Sequence, residues 1–362
     1  MKILIIMKRF GTNKDMVSEG FGRQIKIFEQ LANKHEMDFI CPDYKEYLDK
    51  NIRKNGINYY VRPYSLLKHF SFVKELKTMI RRNKYEVIVG STEPLFGILG
   101  YFYAKKFGIK YIYDLQDDYR HYDTYKIPFV AYLDRKAVKG SDVVLTVSDT
   151  LNRRVRKFRK KQTITIQNGL NTREFRKISK AQARKILKLP KGRVIVYLGE
   201  ISRLKGGDIL IGAFKEVRKA MPDSNLLLSG KVADNIDVNQ EGVIYKQFRK
   251  RSEIIAALNA ADVGVVPNRR NIFSEYCFPN KLVEYMAAGL PIVATDIGDT
   301  SAILSKSGYL CRPDDKYDMA EKLIYALKSN KKPNYRDILK NLTWGNLSKK
   351  INKIMLEMVK NG

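Results

Sequence analysis

Short apolar runs and longer amphipathic runs alternate along this whole chain, and that alternation admits few folds. Ile3-Leu4-Ile5-Ile6-Met7, Val87-Ile88-Val89, Val194-Ile195-Val196 and Ile292-Val293-Ala294 read as strands, the first three each followed by a helical stretch. Two strand-to-helix turns carry glycines, Gly20-Phe21-Gly22 and Gly199 to Gly207, and they lie roughly 180 residues apart. Such a repeated strand-helix-strand order predicts an α/β chain with two doubly wound, Rossmann-like domains facing a central cleft. With 362 residues, 44% of them hydrophobic and 29% charged, there is enough chain for two separate cores.

The most informative stretch is Glu275-Tyr276-Cys277-Phe278-Pro279-Asn280-Lys281-Leu282-Val283-Glu284-Tyr285-Met286-Ala287-Ala288-Gly289-Leu290-Pro291, followed by the strand at Ile292. It reads as a loop, a short helix and a buried strand. Pro279 suits the first turn of a helix, where a missing N–H costs nothing. Leu282, Tyr285 and Met286 follow at helical spacing, and Gly289 with Pro291 is a stop signal. The mouth of that helix, at Pro279, Asn280 and Lys281, offers free N–H groups and a positive dipole end to an anion. Glu284 lies about one turn in, where a carboxylate accepts hydrogen bonds from a pair of sugar hydroxyls. Phosphate at the helix mouth and a carboxylate on the sugar describe a nucleotide-sugar pocket. The plainer alternative is a buried helix-strand unit in which Glu284 is a satisfied core polar group.

This stretch resembles the donor-binding signature of the retaining GT-B glycosyltransferases, the large family-4 group. There a Pro-x-Lys-x-x-Glu-Tyr-Met-Ala-x-Gly-x-Pro-Val run carries the glutamate that binds the nucleotide's ribose, and Glu284 falls on it. A second glutamate of the family, eight positions earlier, touches the donor sugar. Tyr276 occupies that position here, and the nearest carboxylate is Glu275, one residue further away. The resemblance implies a GT-B architecture. Residues 1–171 and a crossover helix at 344–362 would form the acceptor-side domain, and residues 172–343 the nucleotide-sugar domain.

Glycines that expose backbone, with Arg and Lys between strand and helix, make a diphosphate clamp. Gly199-Glu200-Ile201-Ser202-Arg203-Leu204-Lys205-Gly206 has that composition. The family pattern is Gly-Arg-x-x-x-x-Lys-Gly. Gly199, Lys205 and Gly206 match it, Glu200 stands where the arginine is expected, and Arg203 is the available substitute. Tyr245 and Phe248 lie where relatives hold the nucleotide base.

In the first half, Gly20-Phe21-Gly22 lets the backbone approach a phosphate or sugar. The third glycine of a dinucleotide fingerprint is missing, so NAD is not supported. By resemblance this is the glycine-rich first loop that faces the donor. Tyr111-Ile112-Tyr113-Asp114 runs into Asp117 and Asp118, carboxylates at the strand end where open α/β sheets bind ligands. The resemblance singles out Asp117. His121 is either a general base or an exposed loop histidine.

The net charge of +30 would attract polyanions or an anionic membrane. Leu66, Phe70, Val73, Leu76 and Ile80 share a helical face, with Lys68, Lys74, Lys77, Arg81 and Arg82 elsewhere. That is either a helix packed on its sheet or a basic membrane-facing helix beside a lipid-linked acceptor. From Arg153 to Lys161 seven of nine residues are basic, with Phe158 the one aromatic interleaved, which offers little stacking surface for nucleic acid. No apolar run reaches the ~18 residues of a membrane helix. The opening strand meets Lys8-Arg9 and does not read as a signal peptide. Cys41, Cys277 and Cys311 are scattered, without disulfide or zinc spacing, as in a reducing compartment.

Together these features predict a cytoplasmic glycosyltransferase, peripheral on the inner membrane face. It would move a hexose-type sugar from a nucleotide diphosphate sugar to a glycan or lipid-linked acceptor, with retention implied by the resemblance. Glu275, Asp117 and Lys205 are the catalytic candidates. Lys205 and Arg203 would meet the diphosphate, Glu284 the ribose, Glu275 the donor sugar, and Asp117 the sugar or acceptor. No cofactor or metal is expected, because Lys, Arg and a helix terminus neutralise the phosphates. Nucleic acid is not a favoured partner. Two other readings stay open. One is a sugar-nucleotide epimerase of the same fold, using Asp117, His121 and Glu275. The other is a non-enzymatic polyanion-binding protein built on the charge excess.

Overall fold

A computed structural model describes every residue except 12–13, 176–177, 234, 305–306, 330, 332 and 361–362. The chain divides into two units, residues 1–169 with 344–362, and residues 170–343. Leu170 and Asn171 therefore fall with the second unit rather than the first. The cause is local: the Leu170 N–H donates to the Leu342 carbonyl at 2.9 Å, and Leu170 bridges Thr343.

The first unit is built on β1 (Lys2–Ile6), β2 (Glu36–Asp43), β3 (Lys50–Lys54), β4 (Ile57–Pro63), β5 (Val87–Ser91), β6 (Lys110–Leu115), β7 (Val143–Thr146) and β8 (Thr163–Thr165). They lie in the order β8-β7-β6-β5-β1-β2-β4-β3. All neighbours are parallel except β3, which runs antiparallel to β4. Strands covered on both faces need apolar residues at nearly every position, which is why Ile3, Leu4, Ile5 and Ile6 are all fully buried. The core also takes Leu347, Ile351, Ile354 and Met355 from the C-terminal helix Trp344–Lys360. Ser348 fixes that helix by donating to the Ile27 carbonyl at 2.7 Å. Strand order reverses between β1 and β5, so the connections leaving these two strands diverge and open a crevice at their C-terminal ends. Gly20-Phe21-Gly22 follows β1 there.

One local expectation needs correction. The helix over His69–Asn83 buries Phe72, Leu76, Met79 and Ile80, whereas Leu66 and Phe70 are 91% and 82% exposed. Leu66 precedes the helix, so helical spacing does not apply to it. Before Gly20, Asp15 caps a short helix at Met16–Glu19.

The second unit contains β9 (Arg193–Leu198), β10 (Ser224–Ser229), β11 (Val243–Tyr245), β12 (Val263–Val266), β13 (Ile292–Thr295) and β14 (Tyr309–Cys311). Their order is β11-β10-β9-β12-β13-β14, with every neighbour parallel. Ile195, Leu226, Val263 and Val293 pack with Leu210, Phe214, Met319 and Leu323 from the covering helices. Here the order reverses between β9 and β12. The loop leaving β9 is Gly199 to Gly206, so both glycine-bearing turns lie at the switch points of their sheets.

Candidate active site

The signature helix spans Asn280–Ala288, and Pro279 is its N-cap rather than its first helical residue. Gly289 ends it in a left-handed turn at φ 73, its N–H bonded to the Met286 carbonyl at 2.9 Å. Leu282, Val283, Tyr285 and Met286 are buried, and the Tyr285 hydroxyl accepts from the Leu198 N–H at 3.1 Å. That bond ties the helix to the end of β9. Glu284 is not a core carboxylate: its side chain keeps 25% of its surface exposed, and Arg251 Nη1 lies 2.6 Å from its Oε1. Arg251 also stands 3.5 Å from Glu174 and over the Phe175 ring at 4.9 Å. Nothing in the sequence marked Arg251, because its partner is 33 residues away.

Lys281 extends over the start of the glycine loop. Gly199 has φ +149, and a Cβ there would sit 2.2 Å from Lys281 Cε. The Lys281 ammonium faces the Tyr197 ring at 5.1 Å. Burial, then the nearby charge of Lys205, pulls its pKa down to about 8. Lys205 lies over the Phe273 ring at 3.4 Å. Gly206, at φ +74, has no room for a side chain, since a Cβ would meet the Pro267 carbonyl oxygen at 1.8 Å. Arg203 and Glu200 are both exposed. The fold thus gathers Gly199, Lys205, Gly206, Lys281 and Glu284 around the C-terminal end of β9.

Glu275 does not lie in a loop. It belongs to a short helix, Ile272–Tyr276, capped by Asn271, and is half-buried. Gly298 packs against that helix end, where a Cβ would come within 2.7 Å of the Glu275 carbonyl oxygen. Tyr245 ends the edge strand β11, and Phe248, three residues on, lies beside the end of β10. The Tyr245 hydroxyl donates to the Gly230 carbonyl at 2.8 Å, and Ser229 Oγ accepts from the Phe248 N–H at 3.0 Å.

In the first unit, Gly20 and Gly22 both have positive φ, 60 and 104, with Phe21 at 38% exposure between them. Buried Arg23 follows and lies 3.1 Å from Asp114, whose other oxygen accepts from Ser91 at 2.8 Å. Asp114 is therefore a counter-ion beneath the loop. Asp117 is buried at the end of β6 and accepts from the Asp118 N–H at 2.8 Å, with His121 Nε2 3.5 Å from its Oδ2. Asp118 is held by Arg120 and Arg154 at 2.6 and 2.7 Å. A cavity of about 190 Å³ is lined by Asp117, Asp118, Asp134 and Arg154. Part of the basic run is internal as well: Arg159 is buried and donates to the carbonyls of Val138, Lys139, Asp142 and Gln162.

The profile described as Glycosyl transferases group 1 matches residues 192–329, and that of Glycosyltransferase Family 4 matches residues 26–174. A Bacillus subtilis protein named for teichuronic acid biosynthesis, glycosyltransferase TuaH, is 26% identical over 232 residues. That match takes in 60% of this chain and 57% of the relative, so the chain spans little more than half the relative's length. Among solved structures, a glycosyltransferase from Rickettsia africae superposes with a TM-score of 0.78 at 17% identity, covering 100% of this chain and 99% of its own. The HepE protein of Anabaena, solved with UDP and glucose, gives 0.73 at 16% identity, covering 97% and 98%. One profile falls in each unit and the fold is matched from end to end; this chain belongs to the GT-B glycosyltransferases of the family-4, group-1 type.

Proposed function

We propose that this chain transfers a hexose-type sugar from a nucleotide diphosphate sugar to a glycan or lipid-linked acceptor, with retention, in cell-surface polysaccharide or glycolipid synthesis. One observation carries the reading. The helix bearing Glu284 and the glycine loop bearing Lys205 meet at the switch point of a doubly wound sheet. Glu284 would accept from the ribose hydroxyls, Lys205 and the helix mouth would hold the diphosphate, and Tyr245 to Phe248 would flank the base. Glu275 would touch the donor sugar and Asp117 the sugar or acceptor. In the transfer, the bond from the anomeric carbon to the diphosphate oxygen breaks with its electron pair leaving on that oxygen. The acceptor hydroxyl oxygen bonds to the carbon, and its proton passes to the departing diphosphate. The protein's part is positioning and charge stabilisation. The chain's own cations would supply that charge without a metal ion.

The names of the relatives, one solved with UDP and glucose and one named for teichuronic acid biosynthesis, favour a UDP-linked donor and a polysaccharide product. No helix among the described residues is long and apolar enough to cross a membrane. Leu66, Leu67 and Phe70 nonetheless stand 91%, 92% and 82% exposed beside Lys68, a surface suited to docking on anionic lipid.

The test is a thermal-shift and calorimetric screen against UDP, GDP, ADP, TDP and CMP, with and without Mg²⁺, on wild type and Glu284→Ala. Stabilisation by one nucleoside diphosphate, indifferent to metal and lost in the variant, supports the reading. Equal binding by the variant would make the helix merely structural. Product analysis with labelled donor separates transfer from epimerisation, and sedimentation with anionic against neutral vesicles tests the membrane face.

A further inference from the structure

We infer that Asp114 is a positioning residue: one buried carboxylate holds the exit of the Gly20-Phe21-Gly22 loop through Arg23 and the base of the Asp117 segment through Ser91 and Gln116. Its effect on transfer rests on the donor reading above, whereas the tether itself does not.

The turn at Gly22 comes first. Its φ is +104, and a Cβ there would come within 2.9 Å of Gln24 Oε1 and 3.2 Å of Met16 Sδ. The chain turns here because no side chain is present, and the next residue, Arg23, is drawn inside. Only 4% of the Arg23 side chain is exposed, and its Nη2 lies 3.1 Å from Asp114 Oδ1. Asp114 stands in β6, which β5 separates from β1. Two strand spacings make roughly 10 Å, and a long arginine with a short aspartate covers that span. The pair thus bridges the two sides of the point where the strand order reverses.

The other oxygen of Asp114 serves the far side. Ser91, at the paired position on β5, donates from Oγ to Asp114 Oδ2 at 2.8 Å. Gln116 Nε2 donates to the same oxygen at 3.2 Å and to Ser91 Oγ at 2.7 Å. Gln116 immediately precedes Asp117, whose carboxylate accepts from the Asp118 N–H at 2.8 Å. Loop and carboxylate segment therefore share one anchor. The entry of the loop is fixed separately, by Asp15, which caps the helix at Met16–Glu19 and accepts from Arg9 Nε at 3.1 Å.

Stability alone does not account for the pair. Taking both charges out of water costs about as much as their attraction returns. Among the described residues Arg23 Nε, Nη1 and Nη2 and Asp114 Oδ1 have no hydrogen-bond partner, so aligned bonds do not make up the difference. An apolar pair of similar size would fill the same space as well. It would not set the loop at one distance from β6.

The alternative is a pair that serves the core only, and a double variant separates the two roles. Arg23→Met alone leaves Asp114 charged and unpaired, so the full chain should melt about 10 °C lower. Adding Asp114→Leu removes that buried charge, and the melting temperature should return to within about 3 °C of wild type. A positioning role predicts that hydrogen exchange at amides 21–24 nonetheless stays faster than wild type by about tenfold. With UDP-glucose as the probe, kcat for its hydrolysis should stay roughly 10–100-fold low. UDP affinity should hold within about twofold, because Lys205 and Glu284 belong to the second unit. Arg23→Lys keeps the charge but not the fork; it should melt near wild type with the same loss in kcat, which decides the matter if the double variant does not fold. Wild-type exchange or wild-type turnover in either folded variant overturns the assignment, as does a loss of UDP affinity equal to the loss in kcat. A wild type that neither binds UDP nor turns over UDP-glucose removes the donor reading instead, and the exchange measurement still decides the tether.

Discussion

Arg251 Nη1 stands 2.6 Å from Glu284 Oε1, so the carboxylate assigned to the ribose is oriented by a cation before any nucleotide arrives. The bond engages one oxygen and leaves Oε2 to accept from hydroxyls. Arg251 keeps 42% of its side chain exposed, so solvent screens the pair and its worth is modest. Arg251→Ala should weaken nucleoside diphosphate binding about two- to fivefold, roughly 0.5–1 kcal/mol. In a double-mutant cycle it should add nothing on a Glu284→Ala background. Additive losses would mean that Arg251 touches the ligand itself.

Gly206 supplies a sharper structural test. Its φ is +74, and a Cβ would overlap the Pro267 carbonyl oxygen at 1.8 Å. Backbone on both sides of that contact has to move, so Gly206→Ala should cost about 2–3 kcal/mol and lower the melting temperature of its unit by roughly 5–10 °C. Gly108→Ala is the control: φ is +66, with nothing within 4 Å of its Cβ. It should cost only the left-handed strain, about 1 kcal/mol. Equal melting temperatures would remove the steric account of Gly206.

The two sheets and the signature helix were legible because their physics is local. Parallel strands buried on both faces have to be apolar throughout, and a helix that stops at Gly289 shows its stop in the sequence. The β3–β4 hairpin was not legible. Lys50-Asn51-Ile52-Arg53-Lys54 is a solvated edge strand paired, among the described residues, with β4 alone, so it has neither an apolar run nor a clean alternation. Leu66 misled because spacing records a pattern and not where a helix begins, and Phe70, inside the first turn, is exposed while Phe72 takes the buried position. Asp117, Lys205 and Glu284 could be picked out by motif, whereas Arg251 is defined by a contact between separate helices that no local pattern carries.

Arg159 shows the same limit inside the basic run, and it bears on the polyanion reading. Its guanidinium is buried and serves four carbonyls, and burial draws its pKa down to about 10. Arg159→Met strands those acceptors and should destabilise the first unit by about 3 kcal/mol. Lys160→Glu with Lys161→Glu alters exposed residues and should leave the melting temperature within about 1 °C. If heparin retention drops in the double variant while donor binding persists, the charge run is a surface property separate from the nucleotide pocket. Loss of both would join them.

Asp134 sets a pH dependence whose sign can be stated. Burial pushes its carboxyl up to about 6, against hydrogen bonds from the Tyr113 and Tyr125 hydroxyls that favour the anion. A folded pKa above the unfolded one means that its favourable contribution is complete below about pH 4 and is lost as pH rises through 6. The penalty above that range is about 3 kcal/mol at ~1.4 kcal/mol per pKa unit. Asp134→Asn removes the titration while keeping the shape. Relative to wild type, the variant should therefore gain stability between pH 4 and pH 6.5 and hold a constant difference beyond. Urea denaturation of the full chain across pH 4–8 measures this directly. A difference that does not change with pH would place the Asp134 carboxyl near its ordinary value, and the tyrosine hydroxyls, not burial, would then dominate its environment.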